Sequence, residues 1–207
     1  MNRGTFLVFE GIDGSGKSTQ LARLARRLRE VGCDVVETAE PYAGGSWGPR
    51  IREMARSGRA LPPQEELHWF EEQRREHVRE VVRPALAAGR TVLCDRYFLS
   101  SAAYQGARGL DAGAILARGE RELPVPDLVL LIELDTGTAF ARIGGRGAPG
   151  EPVFERQDFL ARVAERFAAL ERPYIVRIPG AGSPDAVERL VRGAVAERTS
   201  LLGAPDP

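Results

Sequence analysis

The chain has 207 residues, of which 43% are hydrophobic, so it is long enough to bury one sizeable core. Its 29 Lys and Arg residues balance 29 Asp and Glu residues, and this charge balance argues against a surface built to bind nucleic acid or an anionic membrane. The longest apolar run, Leu128 to Ile132, is far shorter than the roughly 20 residues needed to cross a bilayer. The amino terminus shows no signal pattern, so we expect a cytoplasmic protein.

The basic residues are almost all arginine: 28 of the 29 are Arg, and Lys17 is the single lysine. Asparagine occurs only as Asn2. Cys33 and Cys94 lack CxxC spacing and neighbouring histidines, and we predict buried thiols rather than a disulfide or a zinc site.

The first elements are predicted to be a strand, a glycine-rich turn and an amphipathic helix. Thr5 to Phe9 is a short apolar run typical of a buried strand. From Ser18 onward, leucines recur at helical spacing until Gly32, where a helix would end.

The remaining pattern alternates strands and helices. We predict strands at 34–38, 91–94, 128–134 and 174–178, a loop at 40–49, a helix at 64–88 that Pro84 kinks or restarts, and a helix at 184–197. The strands at 91–94 and 128–134 are continuously apolar, as in parallel strands covered on both faces. The order predicts one α/β domain at 1–202, a three-layer α/β/α sandwich around a five-stranded parallel sheet, followed by a disordered tail at 203–207.

The turn after the first strand carries a phosphate-binding motif. GIDGSGKS, from Gly11 to Ser18, matches G-x-x-x-x-G-K-[ST] and lies between a predicted strand and a predicted helix, as the motif requires. Backbone N–H groups of such a turn and the helix amino terminus bind phosphate oxygens, the lysine reaches the β- and γ-phosphates, and the serine hydroxyl can bind Mg²⁺. We expect ATP to contact Gly11, Ile12, Asp13, Gly14, Ser15, Gly16, Lys17, Ser18 and Thr19.

Asp95 and Arg96 directly follow the third predicted strand. Ligands of α/β proteins bind at the carboxyl edge of the sheet, where the glycine-rich turn also lies. The guanidinium of Arg96 can bridge two phosphates, and Asp95 can hold a water molecule of the Mg²⁺ shell or fix the arginine. An ion pair without a function at the strand end is the alternative.

Two further segments could contact a nucleobase. Phe70 and Arg74 lie one helical turn apart, so a ring that stacks and a guanidinium that donates hydrogen bonds share a face. A core phenylalanine beside a surface arginine is the competing interpretation. The stretch SSAAYQG offers hydrogen-bonding groups for a base or sugar, or simply a polar helix surface; these groups belong to Ser100, Ser101, Tyr104 and Gln105.

The segment from 142 to 156, rich in Gly, Pro and Arg, is predicted to be a mobile lid. Arg142 and Arg146 could close over the transferred phosphate; a solvated loop is the alternative. His68 and His77 lie on the long helix without other metal ligands, and we expect them to have ordinary surface or packing roles.

Taken in order, FEGIDGSGKSTQ, Glu40-Pro41, WFEEQRREHV, DRYFLSSAAYQG and PDLVLLIELD resemble the thymidylate kinase family over nearly the whole chain. The P-loop lacks an arginine, so the chain is similar to the bacterial type, in which the lid supplies catalytic basic residues. The resemblance implies Mg²⁺-dependent transfer from ATP to dTMP in dTTP biosynthesis, and a homodimer.

The resemblance also assigns residues. It implies that Asp13 contacts the sugar of the acceptor nucleotide and that Arg96 clamps donor and acceptor phosphates. It implies base contacts that involve Phe70, Arg74, Ser101, Tyr104 and Gln105, catalytic roles for Lys17, Arg96, Asp13, Arg142 and Arg146, and metal binding by Ser18 and Asp95. Two alternatives remain: a kinase for another deoxynucleotide or a deoxynucleoside, and a non-catalytic nucleotide-binding regulatory module.

Overall fold

A computed structural model describes residues 3–145 and 157–203 and contains a five-stranded sheet in which every neighbouring pair of strands is parallel. The strand order is β2-β3-β1-β4-β5. The strands are β1 (Phe6–Glu10), β2 (Val35–Ala39), β3 (Thr91–Asp95), β4 (Leu128–Glu133) and β5 (Ile175–Pro179). All five predicted strands are confirmed, with boundaries shifted by at most one residue.

Helices cover both faces of the sheet. They are α1 (Lys17–Glu30), α2 (Trp47–Ser57), α3 (Pro63–His77), α4 (Arg83–Ala87), α5 (Phe98–Tyr104), α6 (Ala112–Glu122), α7 (Thr136–Gly144), α8 (Gln157–Ala168) and α9 (Pro184–Arg198). A π-helical segment (Val78–Val82) joins α3 to α4, and a 3₁₀ turn (Gly106–Arg108) follows α5.

The strand side chains divide between two cores, as the alternation of a pleated strand requires. Leu7 and Phe9 pack with α1 and α9 on one face, whereas Phe6 and Val8 pack with α2, α3, α5 and α8 on the other. This arrangement confirms the predicted three-layer α/β/α sandwich. No helix within residues 3–145 and 157–203 has both the length and the apolar character that a membrane span requires.

The segment predicted to be a loop, 40–49, is helical at its end. Helix α2 begins at Trp47 and buries Ile51, Met54 and Ala55, which recur at helical spacing. Pro49 is tolerated because the backbone N–H groups of a first helical turn have no partner within the helix. The prediction of a loop was therefore wrong from Trp47 onward, because Gly48 and Pro49 lie in the first turn of a helix.

The long predicted helix is interrupted near Pro84, as expected. The helical backbone continues through the π-helical segment after α3, and Pro84, which has no backbone N–H to donate, follows this segment in α4. Both cysteines are free thiols, and Cys94 is buried as predicted, whereas Cys33 is only half-buried. Most of the predicted lid, residues 146–156, lies outside the described residues, as does the end of the tail.

Candidate active site

The glycine-rich turn joins the carboxyl end of β1 to the amino end of α1. Gly11, Gly14 and Gly16 have positive φ angles of 136°, 81° and 101°, a region that side chains disfavour. A Cβ atom on Gly14 would lie 2.4 Å from the backbone oxygen of Ala139, so the turn also packs too closely for any other residue. The backbone therefore has the form that an anion-binding turn needs.

Lys17 is the first residue of α1 and is buried in this turn, where its Nζ donates a hydrogen bond to the backbone oxygen of Ile12 at 2.9 Å. Burial, together with the charge of Arg96, lowers the pKa of Lys17 to about 8, although Asp95 and Asp13 act to raise it. A bound phosphate would raise the pKa of Lys17 again, because its negative charge favours the protonated form.

Ser18 and Asp95 lie beside each other at the same edge. The Ser18 hydroxyl donates to Oδ2 of Asp95 at 2.5 Å, while Oδ1 is buried and has no hydrogen-bond partner among residues 3–145 and 157–203. Hydroxyl and carboxylate oxygens suit Mg²⁺, which keeps several water or phosphate ligands and so needs only one or two from the protein. The described residues contain no group of three His, Cys, Asp or Glu side chains with metal-binding geometry, so they fit such a phosphate-assisted site better than a closed metal cage.

Arg96 connects the glycine-rich turn to the start of α5. In the described part of the chain it is the one non-glycine residue with a positive φ angle, 72°. Its guanidinium donates to Asp13 Oδ1 at 2.6 Å, to Ser100 Oγ at 3.1 Å and to Tyr104 Oη at 3.2 Å. A strained backbone persists only where the surrounding contacts hold it, and such residues cluster at functional sites.

Asp13 is the acidic partner of this arginine within the turn. It also accepts a hydrogen bond from the Tyr104 hydroxyl at 2.9 Å. Burial alone would raise the pKa of Asp13, but the charges of Arg96 and Lys17 and the two hydrogen bonds outweigh it and lower the pKa to about 2. Asp13 is therefore ionised at neutral pH and can accept a hydrogen bond from a ligand hydroxyl.

Glu10, the last residue of β1, is joined to Arg96 through Ser100. It is fully buried and accepts hydrogen bonds from the backbone N–H groups of Tyr97 (2.8 Å) and Ser100 (3.1 Å) and from the Ser100 hydroxyl (2.6 Å). Burial raises the pKa of Glu10 to about 7, against the lowering effects of Ser100 and Arg96. This carboxyl fixes the amino end of α5 and, through Ser100, the guanidinium of Arg96.

A cleft opens next to this cluster. It is lined by charged and by apolar side chains, together with amide and hydroxyl groups. Its lining residues are Asp13, Pro41, Ile51, Arg52, Ala55, Phe70, Arg96, Ser100, Ser101, Tyr104 and Gln105.

Arg74 lies behind the cleft wall. It is 2% exposed, and its guanidinium donates to Glu40 Oε2 (2.7 Å), to the Tyr97 backbone oxygen (3.2 Å) and to Ser101 Oγ (3.1 Å). Glu40 also contacts His77, which is buried and has the packing role expected of it. Arg74 is not among the cleft-lining residues, and its contact with the cleft runs through Ser101.

The structure thus brings most of the predicted site residues together. Thr19 is exposed on α1, Arg142 is exposed at the end of α7, and Arg146 lies outside the described residues. Sequence reasoning did not single out Glu10, Arg52 or Glu66. Glu10 alone gave a signal, because it is a charged residue at the end of an otherwise apolar strand.

Comparison with known proteins agrees with this geometry. The family model described as thymidylate kinase matches residues 9–191. A thymidylate kinase of Akkermansia muciniphila is 42% identical over 203 residues, which cover 98% of this chain and 97% of that protein. A thymidylate kinase of Desulfotalea psychrophila is 42% identical over 188 residues, covering 91% and 92%, and one of Xanthomonas campestris pv. campestris is 44% identical over 193 residues, covering 93% and 83%.

Proposed function

The chain belongs to the thymidylate kinase family and is an ATP-dependent phosphotransferase that converts dTMP to dTDP, and we propose that the reaction takes place between the glycine-rich turn and the cleft. One observation carries this assignment. Asp13 and Arg96 belong both to the surroundings of the P-loop lysine and to the lining of the cleft, so a phosphate bound at the turn and one bound in the cleft would share these residues.

Phosphate transfer between two nucleotides needs no protein nucleophile and no general base. The 5′-phosphate of the acceptor is already ionised near neutral pH, so the protein has to align the two phosphates and neutralise their charge. Lys17 and the backbone N–H groups of the turn would hold the donor phosphates, and Arg96 would contact the transferred group and the acceptor. Arg52, whose guanidinium donates to the backbone oxygens of Pro41, Tyr42 and Ala43, is a further candidate for the acceptor phosphate.

The uncharged residues that line the cleft suit a thymine base. Phe70 offers a ring face for stacking, and Ser101 and Gln105 offer hydrogen-bonding groups. Asp13 would accept a hydrogen bond from the deoxyribose hydroxyl. Arg74 would act on the base through Ser101.

We propose that Ser18 and Asp95 hold Mg²⁺ together with the phosphates. Asp95 Oδ1, which has no partner in the part of the chain that the structure describes, supports this assignment, because a buried carboxylate oxygen without a partner is costly. A bound Mg²⁺ would supply positive charge to the donor phosphates. Arg142 and Arg146 remain candidates for closing over the transferred group.

The acceptor is tested by measuring ADP release with Mg-ATP and a panel of dTMP, dUMP, dCMP, dGMP, AMP and thymidine. We expect turnover to depend on the acceptor and to be fastest with dTMP. ATP binding without acceptor-dependent ADP release would instead favour a regulatory nucleotide-binding module. A preference for another monophosphate would keep the protein among the nucleotide kinases but change the acceptor nucleotide.

Replacing Phe70 with alanine is expected to raise the KM for dTMP by about 10-fold and to leave the KM for ATP unchanged, because stacking on a base contributes about 1–3 kcal/mol. Steady-state kinetics with each substrate varied in turn measures both constants. Leu190→Ala, an apolar truncation at an exposed position on α9, is the control. A selective loss of ATP affinity in Phe70→Ala would contradict base stacking.

We further infer a homodimer in the cytoplasm, which rests on the family resemblance. Light scattering coupled to size-exclusion chromatography tests the dimer, which should elute at twice the mass of the chain. A monomer that retains full activity would contradict this part of the proposal.

A further inference from the structure

One amide in the cleft is hydrogen-bonded at only one of its two ends. Gln105 lines the cleft and is 1% exposed. Its Nε2 donates to Glu66 Oε1 at 2.9 Å, whereas its Oε1 is buried and has no hydrogen-bond partner within the described residues, 3–145 and 157–203. The carbonyl end is therefore the half of the amide that is left for a ligand.

The orientation of this amide is dictated by its partner. Glu66 is fully buried on α3, and an ionised carboxylate can only accept hydrogen bonds. The end of Gln105 that faces it must therefore be the NH₂ group, and the carbonyl must face away. Turning the amide over would place two acceptors against each other.

Arg108 holds Glu66 in place and opposes the loss of its charge. Its Nη1 donates to Glu66 Oε2, and its Nη2 donates to the backbone oxygen of Leu61 at 2.6 Å. Burial raises the pKa of Glu66, and the hydrogen bond from Gln105 and the charge of Arg108 oppose this effect. The ion pair with Arg108 therefore favours the carboxylate form of Glu66.

We propose that Glu66, held by Arg108, is a positioning residue that sets the specificity for the acceptor base by fixing the orientation of Gln105. The inference rests on the proposed function, because it takes the cleft as the acceptor site. Thymine and uracil carry an N–H group at position 3 of the ring, which can donate to the Gln105 carbonyl. Cytosine has an unprotonated nitrogen there, which would face the carbonyl as a second acceptor. The pair thus selects bases with an N–H donor over cytosine.

The variant Glu66→Gln tests this proposal because it keeps the shape of the side chain and removes its charge. The new amide can accept from Arg108 and donate to Gln105, so Gln105 can turn its own NH₂ group into the cleft. We expect kcat/KM for dTMP and dUMP to fall by about 10-fold, mainly through the acceptor KM, and the dCMP-to-dTMP ratio of kcat/KM to rise by about 10-fold or more. The KM for ATP should not change.

The matched control is Glu120→Gln. Glu120 also joins an arginine to a second donor, since it accepts from Arg172 at 2.6 Å and from the Tyr174 hydroxyl at 2.6 Å, but it does not line the cleft. This change is expected to leave the dCMP-to-dTMP ratio at the wild-type value. A second variant, Arg108→Met, changes a side chain that is 18% exposed, whereas that of Glu66 is fully buried. It removes the hydrogen bond to one oxygen of Glu66 but keeps the carboxylate, so we expect a smaller change of the ratio in the same direction, about 3-fold.

The outcomes separate this inference from the proposed function. A wild-type protein that releases no ADP with dTMP refutes the proposed function. A wild-type protein that phosphorylates dTMP, combined with a folded Glu66→Gln variant that loses activity equally for dTMP, dUMP and dCMP or keeps the wild-type ratio, overturns the inference alone. If circular dichroism shows that Glu66→Gln is unfolded, Arg108→Met decides: an unchanged ratio in that variant overturns the inference.

Discussion

Replacing Arg96 with alanine is expected to lower kcat by about 1,000-fold or more, the range in which the loss of an arginine that contacts a transferred phosphoryl group falls. The guanidinium lies 2.6 Å from Asp13 at the junction of the P-loop and the cleft, where the two phosphates would meet. Because its contribution is largest when charge spreads over the transferred group, the loss should appear in kcat more than in either KM. Steady-state kinetics with dTMP and Mg-ATP measures it.

Arg96→Lys and Arg90→Ala complete this experiment. Lysine keeps the charge but not the planar fork, so it should recover only part of the activity. Arg90 immediately precedes β3, at the end opposite Arg96, and pairs with Asp34 at 2.8 Å, so Arg90→Ala removes an ion-paired arginine without touching the site. Wild-type kcat/KM in a folded Arg96→Ala variant would refute the role of Arg96. Folding should be measured directly, because alanine loses the hydrogen bonds that hold residue 96 at a φ of 72°.

The phosphate side of the site could be predicted from the sequence because its determinants are local. The P-loop depends on glycines at positive φ and on a helix that begins at Lys17, and both are visible within ten residues. The position of Arg96 follows from topology, since β3 pairs with β1 in parallel and Phe9 is aligned with Asp95. Residues that follow neighbouring parallel strands have to meet at the same edge of the sheet.

The base side depends on contacts between distant segments, which sequence spacing does not reveal. The interval between Phe70 and Arg74 shows that they share a helix face but not that Glu40, 34 residues before Arg74, covers the guanidinium. Glu66 is similarly joined to Gln105 across 39 residues. A buried carboxylate on a helix looks like a solvated one until the partner segment is known.

Lys17→Met is expected to change activity and stability in opposite directions. The variant removes the ammonium group and keeps a side chain of similar length, so kcat/KM for Mg-ATP should fall by about 100- to 1,000-fold. The fold, however, holds this ammonium at a cost, because burial lowers the pKa of Lys17 from 10.5 to about 8. Removing it should therefore raise the free energy of unfolding of the ligand-free protein at pH 7 by about 1–3 kcal/mol, less the loss of its hydrogen bond to Ile12.

The pH dependence identifies the source of this gain. Below pH 8 the lysine is charged in both the folded and the unfolded state, so the cost is complete. Between pH 8 and 10.5 it is neutral in the folded state but still charged in the unfolded state, so the gain from Lys17→Met should shrink and vanish near pH 10.5. Arg26→Met, which removes an exposed charge from the same helix, should change neither activity nor stability. A Lys17→Met variant that is less stable than the wild type at pH 7 would contradict this prediction. It would show that the buried ammonium group stabilises the ligand-free protein.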